Sequence, residues 1–294
     1  MFMTRKPYDA GKVSALLIFL PPALLLFTLF VVMPIGEAAW YSGFNWNGFG
    51  TPKNWIGWDN YRFVFDNKAF GTAFKNNLLI ILVSLTIQLP LALSLALILS
   101  RAFTGAVMLR MLFFLPYILA EIATGLIFSF VYDGEFGLLA AIYRTFGAEA
   151  PHLLASPDTS MLAILLVIVW KYFGFHMMLF IAALQGMDRN LVEAARVDGA
   201  NRWQVLRHIT IPLLYPTIRL SIFFAIIGSL QLFDLIMPLT RGGPADSSHT
   251  MVSFLYNFGV MRMRVGFGSA VGVILFVICV TFAFTYKRWF MRDE

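Results

Sequence analysis

The chain has 294 residues, of which 59% are hydrophobic and 13% charged, and its mean hydropathy is +0.76. A soluble domain of this length exposes far more polar surface, so the composition excludes a soluble fold and indicates a polytopic membrane protein. The net charge of +6 comes from basic residues dispersed along the chain, which argues against a nucleic-acid-binding patch. The single cysteine, Cys279, lies in an apolar run and predicts neither a disulfide nor a metal cluster.

The first apolar run covers residues 13–33 and follows a short polar start at residues 1–12. It is long enough to cross a hydrocarbon core about 30 Å thick. A cleaved signal peptide has a shorter apolar core and a small-residue cleavage site, so we interpret this run as an uncleaved first span. Pro21 and Pro22 are expected to kink it.

Residues 35–77 form a tryptophan-rich stretch that contains Trp40, Trp46, Trp55 and Trp58. Tryptophan favours the membrane–water interface, where the ring is half-buried and the indole NH stays hydrated. We therefore expect this stretch to pack at the outer interface rather than to form a separate domain.

Five further apolar runs predict spans that, with the first, give an all-α membrane fold of six transmembrane helices. These runs are 78–99, 107–131, 161–184, 218–239 and 266–286. More lysine and arginine residues fall on the side that holds both termini than on the other, so the positive-inside rule places both termini in the cytoplasm. No internal repeat or flexible linker divides the chain, which predicts a single domain over residues 1–294.

A polar segment at residues 188–212 lies between the fourth and fifth spans and faces the cytoplasm in this topology. Asp188 can cap a first short helix, and Gly199 can take the left-handed conformation that ends it. Asn201 can cap a second helix, which Pro212 is expected to stop.

The second of these short helices is predicted to be amphipathic. Trp203, Leu206 and Ile209 recur at three-residue spacing and form one apolar face, while Arg202 and Arg207 lie largely off it. A segment this polar cannot remain in lipid, so we expect it to dock on a cytoplasmic partner. An ordinary amphipathic loop without a partner is the alternative.

The sequence EAARVDGANRWQVLRHITIPLLYP at residues 193–216 resembles the EAA loop of binding-protein-dependent ABC importer permeases. This resemblance implies that the segment is a coupling loop, which inserts into a groove on a separate ATPase subunit and transmits its motion to the spans. The residues given this ATPase-coupling role are Glu193, Ala194, Ala195, Asp198, Gly199, Ala200, Arg202, Trp203 and Pro212.

No Gly-x-x-x-x-Gly-Lys-Ser/Thr motif occurs in the chain, so the energy for any transport must come from a partner or from an ion gradient. The resemblance implies that ATP and Mg²⁺ bind to partner ATPase subunits, and that this chain holds no cofactor and is not itself an enzyme. The histidines have no metal-ligand spacing, so neither a metal site nor a catalytic residue is expected.

Three ionisable residues, Glu121, Lys171 and Asp234, lie within predicted spans. Each costs about 2.5–3.5 kcal/mol at a helix centre, so such residues indicate function. Either they face a wet translocation path and contact substrate, or Glu121 and Lys171 form an ion pair that holds the bundle together. Lys171 is the stronger substrate candidate, because Tyr172 and Phe175 offer aromatic faces on which a sugar can stack.

The resemblance also implies positions for a sugar site within the membrane. The matching residues are Tyr117, Lys171, Tyr172, Phe175, Ala225, Ser229 and Leu232. Ala225 and Leu232 are apolar where relatives offer polar groups, so Gln231 and Asp234 nearby are expected to compensate. The turn at residues 239–244 resembles the sugar-permease subgroup and is expected outside, where a solute-binding protein docks, although a plain tight turn explains these residues equally well.

Over nearly its whole length the chain resembles permease subunits of ABC sugar importers, in the subfamily of maltose and glycerol-3-phosphate permeases. The resemblance implies import of a carbohydrate or sugar derivative across the bacterial inner membrane by alternating access. The partners it implies are a second homologous permease, two ATPase subunits, a periplasmic or lipid-anchored solute-binding protein and membrane lipid, with no nucleic acid.

Two other functions remain as alternatives. An ion-gradient-driven secondary transporter of small polar solutes would need inverted repeats and paired broken helices, and neither is evident in the sequence. An intramembrane enzyme would need a clustered His/Asp/Ser constellation, which is also absent from the sequence. Whether the transported sugar is neutral or anionic stays open, because Lys171 could contact an acidic group.

Overall fold

The computed structural model describes residues 10–101 and 103–291, so most of the predicted polar start lies outside the described residues. In chain order the helices are α1 (Ser14–Tyr41, within a helix that begins at Ala10), α2 (Asp59–Asp66), α3 (Lys68–Leu99), α4 (Ala106–Ile118), α5 (Glu121–Val131), α6 (Leu138–Thr145), α7 (Pro157–Gln185), α8 (Arg189–Val197), α9 (Arg202–Gln231), α10 (Ile236–Leu239), α11 (Met251–Met261) and α12 (Val265–Phe290). In the described part of the chain, the β structure is limited to an isolated bridge between Phe44 and Trp55. The predicted all-α membrane fold is confirmed.

Five of these helices, α1, α3, α7, α9 and α12, are long and apolar enough to cross a membrane, and α4 with α5 passes the same test as a bent pair. The predicted spans 13–33, 78–99, 161–184 and 266–286 fall within α1, α3, α7 and α12, respectively. Four of the six predicted spans therefore correspond to continuous helices.

The other two predicted spans need correction. The run 107–131 is not one straight helix, because α4 and α5 meet at an angle of 96° across Leu119 and Ala120. The run 218–239 is not one helix either, because α9 ends at Gln231, the backbone becomes extended at Leu232, and a helix resumes only in α10. Both departures lie beside the same cavity, which is described below.

Three of the long helices contain a π segment that is followed, two residues later, by a proline. The segments and prolines are Thr28–Val32 with Pro34, Ser84–Gln88 with Pro90, and Leu206–Thr210 with Pro212. Proline lacks an amide hydrogen and its ring crowds the preceding turn, which the wider π turn relieves. The prediction that Pro212 stops a short helix is therefore wrong, since α9 continues through it to Gln231.

The described residues form two compact units. The smaller unit comprises the chain up to Val64 together with Phe258–Ile274, and the larger comprises Phe65–Asn257 and the residues from Leu275 onward. The larger unit contains all the residues of the candidate sites described below.

In the smaller unit, the tryptophan-rich stretch folds back on the end of α1. The side-chain amide of Asn60 donates hydrogen bonds to the carbonyl oxygens of Ser42 at 2.8 Å and Phe44 at 2.9 Å. The ring centroids of Trp40 and Trp55 lie 5.6 Å apart. Buried amide contacts of this kind fix the loop, while its indole rings stay largely exposed.

In the larger unit, α7 is the central helix and packs against α3, α4 and α9. In the most apolar stretch of α7, 61% of the residues are buried, compared with 28% in the corresponding stretches of α3 and α9. Small residues let its neighbours approach closely, as for Ala92 and Ala96 of α3, both fully buried. On the α4 side, a Cβ added at Gly174 would overlap the carbonyl oxygen of Phe113, so the two backbones are in direct contact there.

Candidate functional site

The break between α4 and α5 is held by a lysine from α7. Leu119 and Ala120 both have ψ of 138°, which ends α4 and leaves carbonyl groups in its last turn without helical partners. The Nζ atom of Lys171 donates to the carbonyl oxygens of Leu119 at 2.6 Å and of Pro116 at 3.3 Å. Lys171 is only 1% exposed, so its ammonium group is enclosed by the main chain that it contacts.

The structure thus gives Lys171 main-chain partners that the sequence did not predict. The Nζ atom of Lys171 donates its third hydrogen bond to the hydroxyl of Thr124 at 3.4 Å. Lys171 and Glu121 both lie in the described part of the chain, and no salt bridge joins them. Glu121 instead accepts a hydrogen bond from the hydroxyl of Tyr172 at 2.6 Å. The lysine is satisfied by the main chain of the break, and the carboxylate by a tyrosine.

A cavity of about 530 Å³ lies beside this break, between α3, α7 and α9. Every predicted substrate-path residue except Lys171 lines it, namely Tyr117, Glu121, Tyr172, Phe175, Ser229, Gln231 and Asp234. The matching apolar positions, Ala225 and Leu232, also line the cavity. We refer to it as the central cavity.

One wall of the central cavity is aromatic. The rings of Tyr117 and Phe175 are stacked, with centroids 4.8 Å apart and planes 23° apart. Tyr172 and Phe224 extend the wall at centroid distances of 6.4 Å from Tyr117 and 6.1 Å from Phe175, respectively. Such a surface suits the C–H faces of a sugar ring, which pack on aromatic faces as other apolar groups do.

Several residues of the cavity wall were not predicted from the sequence. Ser84 and Gln88 lie one turn apart in the π segment of α3, and Ser84 donates to the side-chain oxygen of Gln88 at 3.4 Å. His176 is 3% exposed, and its Nδ1 atom has no hydrogen-bond partner among the described residues. Ser84 and Gln88 could have been found from the sequence, because two polar residues four positions apart in an apolar run lie on one helix face.

The end of α9 is set by side chains from other segments. The side-chain amide of Asn77 in α3 donates to the carbonyl oxygen of Ser229 at 2.6 Å, and the side-chain oxygen of Asn77 accepts from the main-chain amide of Met251 at 2.8 Å. The hydroxyl of Thr250 donates to the carbonyl oxygen of Leu232 at 2.6 Å. These contacts provide hydrogen-bond partners for main-chain groups at the end of α9. Asp234 lies in the turn beyond the helix end and reaches the cavity from there.

The polar segment at the other end of α9 folds largely as the sequence predicted. Asp188 caps α8 by accepting from the amide of Asn190 at 2.9 Å. Gly199 has a φ of +86°, the left-handed conformation expected at the end of α8. Asn201 caps α9 in a reciprocal pair with Gln204, with N···O distances of 2.9 and 2.8 Å. All three predicted capping features are confirmed.

We call residues 188–212 the coupling module, and its surface carries exposed apolar side chains. Val197 is 87% exposed, Trp203 66% and Leu191 49%. Of the predicted coupling residues, Glu193, Ala194, Asp198, Gly199, Arg202 and Trp203 are exposed, whereas Ala195, Ala200 and Pro212 are half-buried. Apolar side chains exposed on an otherwise polar segment are typical of surfaces that bind another protein.

A helical membrane domain with a broken span and a polar and aromatic cavity beside the break is typical of a membrane transport subunit. Residues 88–293 match the family model described as binding-protein-dependent transport system inner membrane component, and the chain belongs to this family. It is therefore a multi-pass protein of the inner membrane.

Similarity to individual proteins extends over nearly the whole chain. The sulfoquinovosyl glycerol transport system permease protein SmoG of Agrobacterium fabrum is 33% identical over 95% of this chain and 91% of its own. The trehalose/maltose transport system permease protein MalF of Thermococcus litoralis is 30% identical over 97% of each chain. A chain from the crystal structure of a bacterial ABC transporter for the acidic polysaccharide alginate shares the fold, with a TM-score of 0.82, 23% identity and coverage of 96% and 98%.

Proposed function

We propose that this chain is one of two homologous permease subunits of an ATP-driven importer that carries a carbohydrate across the bacterial inner membrane. The relatives named for the transport of trehalose, maltose and a sulfoquinovosyl compound support a carbohydrate as the solute. The central cavity supports it independently, because aromatic faces stand beside hydroxyl, amide and carboxylate groups.

The observation that carries this proposal is the course of α9. The helix begins at Arg202 in the coupling module and ends at Gln231 in the wall of the central cavity. Its 30 residues span about 45 Å at 1.5 Å per residue. A displacement of the coupling module therefore reaches the cavity through one continuous helix.

In the proposed mechanism, two separate ATPase subunits bind ATP and Mg²⁺, because this chain has no phosphate-binding motif. Closure of the ATPase pair moves the docked coupling modules of both permeases and opens the cavity outward, and hydrolysis restores the inward-facing state. A periplasmic or lipid-anchored solute-binding protein delivers the solute near the turn at residues 239–244, and both termini lie in the cytoplasm.

The test is whether the exposed apolar side chains of the coupling module hold the ATPase subunits. Val197→Asp places a charge at a side chain that is 87% exposed, and Phe136→Asp is a matched control at 88% exposure outside the module. The tagged chain is purified in detergent after expression with the permease and ATPase subunits encoded beside it. We expect ATPase subunits to copurify with the wild-type chain and with Phe136→Asp, but not with Val197→Asp.

Two results would contradict the proposal. If no nucleotide-hydrolysing subunit copurifies with the wild-type chain, and uptake depends on an ion gradient instead, the chain is a secondary transporter. If Val197→Asp retains the ATPase subunits and full stimulated hydrolysis, the coupling module is not the docking surface.

A further inference from the structure

We propose that the solute moved through the central cavity is a polyhydroxylated carbohydrate that carries no negative charge, such as a neutral oligosaccharide or polyol. This inference deepens the proposed function and rests on it. Its basis is the charge of the cavity wall: two carboxylates, Glu121 and Asp234, line the cavity, and no lysine or arginine in the described parts of the chain does so.

Lys171, a cation beside the cavity, already has an acceptor for each hydrogen of its ammonium group. The ammonium group of Lys171 has three hydrogens, and it has three acceptors in the carbonyl oxygens of Pro116 and Leu119 and the hydroxyl of Thr124. Its side chain is 1% exposed and does not line the cavity. Lys171 therefore has no free hydrogen with which to bind the acidic group of a sugar directly.

The carboxylates suit hydroxyl groups and oppose anions. One oxygen of Glu121 accepts the hydroxyl of Tyr172 at 2.6 Å, while its other oxygen and the exposed side chain of Asp234 remain as acceptors on the wall. An ionised carboxylate can only accept hydrogen bonds, so its natural partner is a hydroxyl that donates. An anionic solute would add a third negative charge to a wall that holds two carboxylates and, in the described parts of the chain, no lysine or arginine.

The remaining polar groups of the wall are neutral and match a hydroxyl, which both donates and accepts. His176 is 3% exposed and lines the cavity, and its Nδ1 atom has no hydrogen-bond partner in the described chain. A buried polar atom without a partner in the described chain leaves a hydrogen-bonding position open to water or to a ligand group. Gln88 and Ser229 also line the cavity, and neither side chain carries a charge.

The first experiment measures uptake by the complete importer, made of this chain with its encoded permease, ATPase and solute-binding subunits. Cells receive an equimolar library of neutral oligosaccharides, polyols, uronates, sugar phosphates and sugar sulfonates, and accumulated solutes are identified by mass spectrometry. Cells with a hydrolysis-deficient ATPase subunit give the background. We expect the ATP-dependent uptake to be confined to solutes without a negative charge.

The outcomes separate this inference from the function on which it rests. ATP-dependent uptake of a uronate, phosphate or sulfonate in preference to neutral solutes would overturn the inference and leave the importer intact. A hydrolysing complex that imports no carbohydrate at all would overturn the proposed function and the inference together.

The second experiment tests the carboxylates themselves. Asp234→Asn removes the negative charge of an exposed wall residue, and Glu149→Gln makes the same change at an exposed loop residue away from the cavity. We expect Asp234→Asn to lower the uptake ratio of the preferred neutral solute over glucuronate by roughly tenfold or more, because a charge-assisted hydrogen bond is lost and a repulsion relieved. Glu149→Gln should leave the ratio unchanged.

A purely structural role for Asp234 would lower the amount of assembled complex without altering this ratio, so complex yield is measured in parallel. If Asp234→Asn fails to assemble, Glu121→Gln provides the same comparison from the other carboxylate. An unchanged ratio in an assembled variant overturns the inference.

Discussion

The Nζ atom of Lys171 lies 2.6 Å from the carbonyl oxygen of Leu119, a residue 52 positions earlier in the chain. A lysine within a span commonly indicates a substrate or ion path. Here the ammonium group forms hydrogen bonds to the main chain at the break between α4 and α5, and the break brings Tyr117 and Glu121 to the central cavity. We therefore expect Lys171 to act as a positioning residue, since it bonds the break and does not line the cavity.

The first prediction follows from this contact. Lys171→Met keeps the length of the side chain but removes all three donors, so the acceptors of the break lose their partner at a cost of about 1–3 kcal/mol each. We expect a lower thermal midpoint of the detergent-solubilised chain by fluorescence-detected size-exclusion chromatography. Lys75→Met, at an exposed lysine of α3, should leave the midpoint unchanged.

A double variant distinguishes the main-chain role from an ion pair. If Lys171 were retained to neutralise Glu121, then Lys171→Met with Glu121→Gln would recover the midpoint lost in the single variant. We expect no recovery, since the carbonyl oxygens of Pro116 and Leu119 remain without donors in both variants. Full recovery would show that the pair is the stabilising unit.

The second prediction concerns the contact between α7 and α4. Gly174→Ala adds a Cβ that would overlap the carbonyl oxygen of Phe113, so the helices must separate, at a cost of about 1–3 kcal/mol. Gly71→Ala is the matched control in α3, where a Cβ meets nothing within 4 Å and the gain in helix propensity is up to about 1 kcal/mol. The two thermal midpoints should therefore shift in opposite directions, and equal shifts would contradict the packing.

The parts of the site that the sequence predicted correctly depend on local chemistry. Asp188, Gly199 and Asn201 act on backbone groups within three residues of themselves, so their residue types alone indicate the caps and the left-handed turn. The aromatic residues beside Lys171 likewise lie on one helix, and their spacing keeps them together.

The parts that it did not predict depend on contacts between distant segments. The break at Leu119 is satisfied by Lys171, and the end of α9 is held by Asn77 and Thr250, none of which is a neighbour in sequence. An apolar run gives no sign of where its carbonyl groups find such partners. Pro212 failed as a stop signal for a different reason, because the π segment before it absorbs the missing hydrogen bond.

The third prediction concerns topology. If α4 and α5 together cross the membrane once, Glu149 lies outside and Arg288, near the end of α12, lies in the cytoplasm. Single cysteines at these two exposed positions, in a Cys279→Ser background, are treated with a membrane-impermeant maleimide. Glu149→Cys should react in intact spheroplasts and Arg288→Cys only after permeabilisation, with Cys279→Ser alone as the unlabelled control. The reverse pattern, with only Arg288→Cys reactive in intact spheroplasts, would contradict this topology.

The last prediction concerns the turn that joins α8 to α9. Gly199 has a φ of +86°, and a Cβ added to it would meet nothing within 4 Å, so any effect of substitution arises from the backbone and not from a clash. A β-branched residue in this conformation costs about 1–2 kcal/mol, whereas asparagine adopts it readily. We therefore expect Gly199→Val to shift α8 relative to α9, and to reduce solute uptake far more than ATP hydrolysis in the assembled importer. Gly199→Asn should retain both activities. Equal uptake by the two variants would mean that the left-handed turn has no part in coupling.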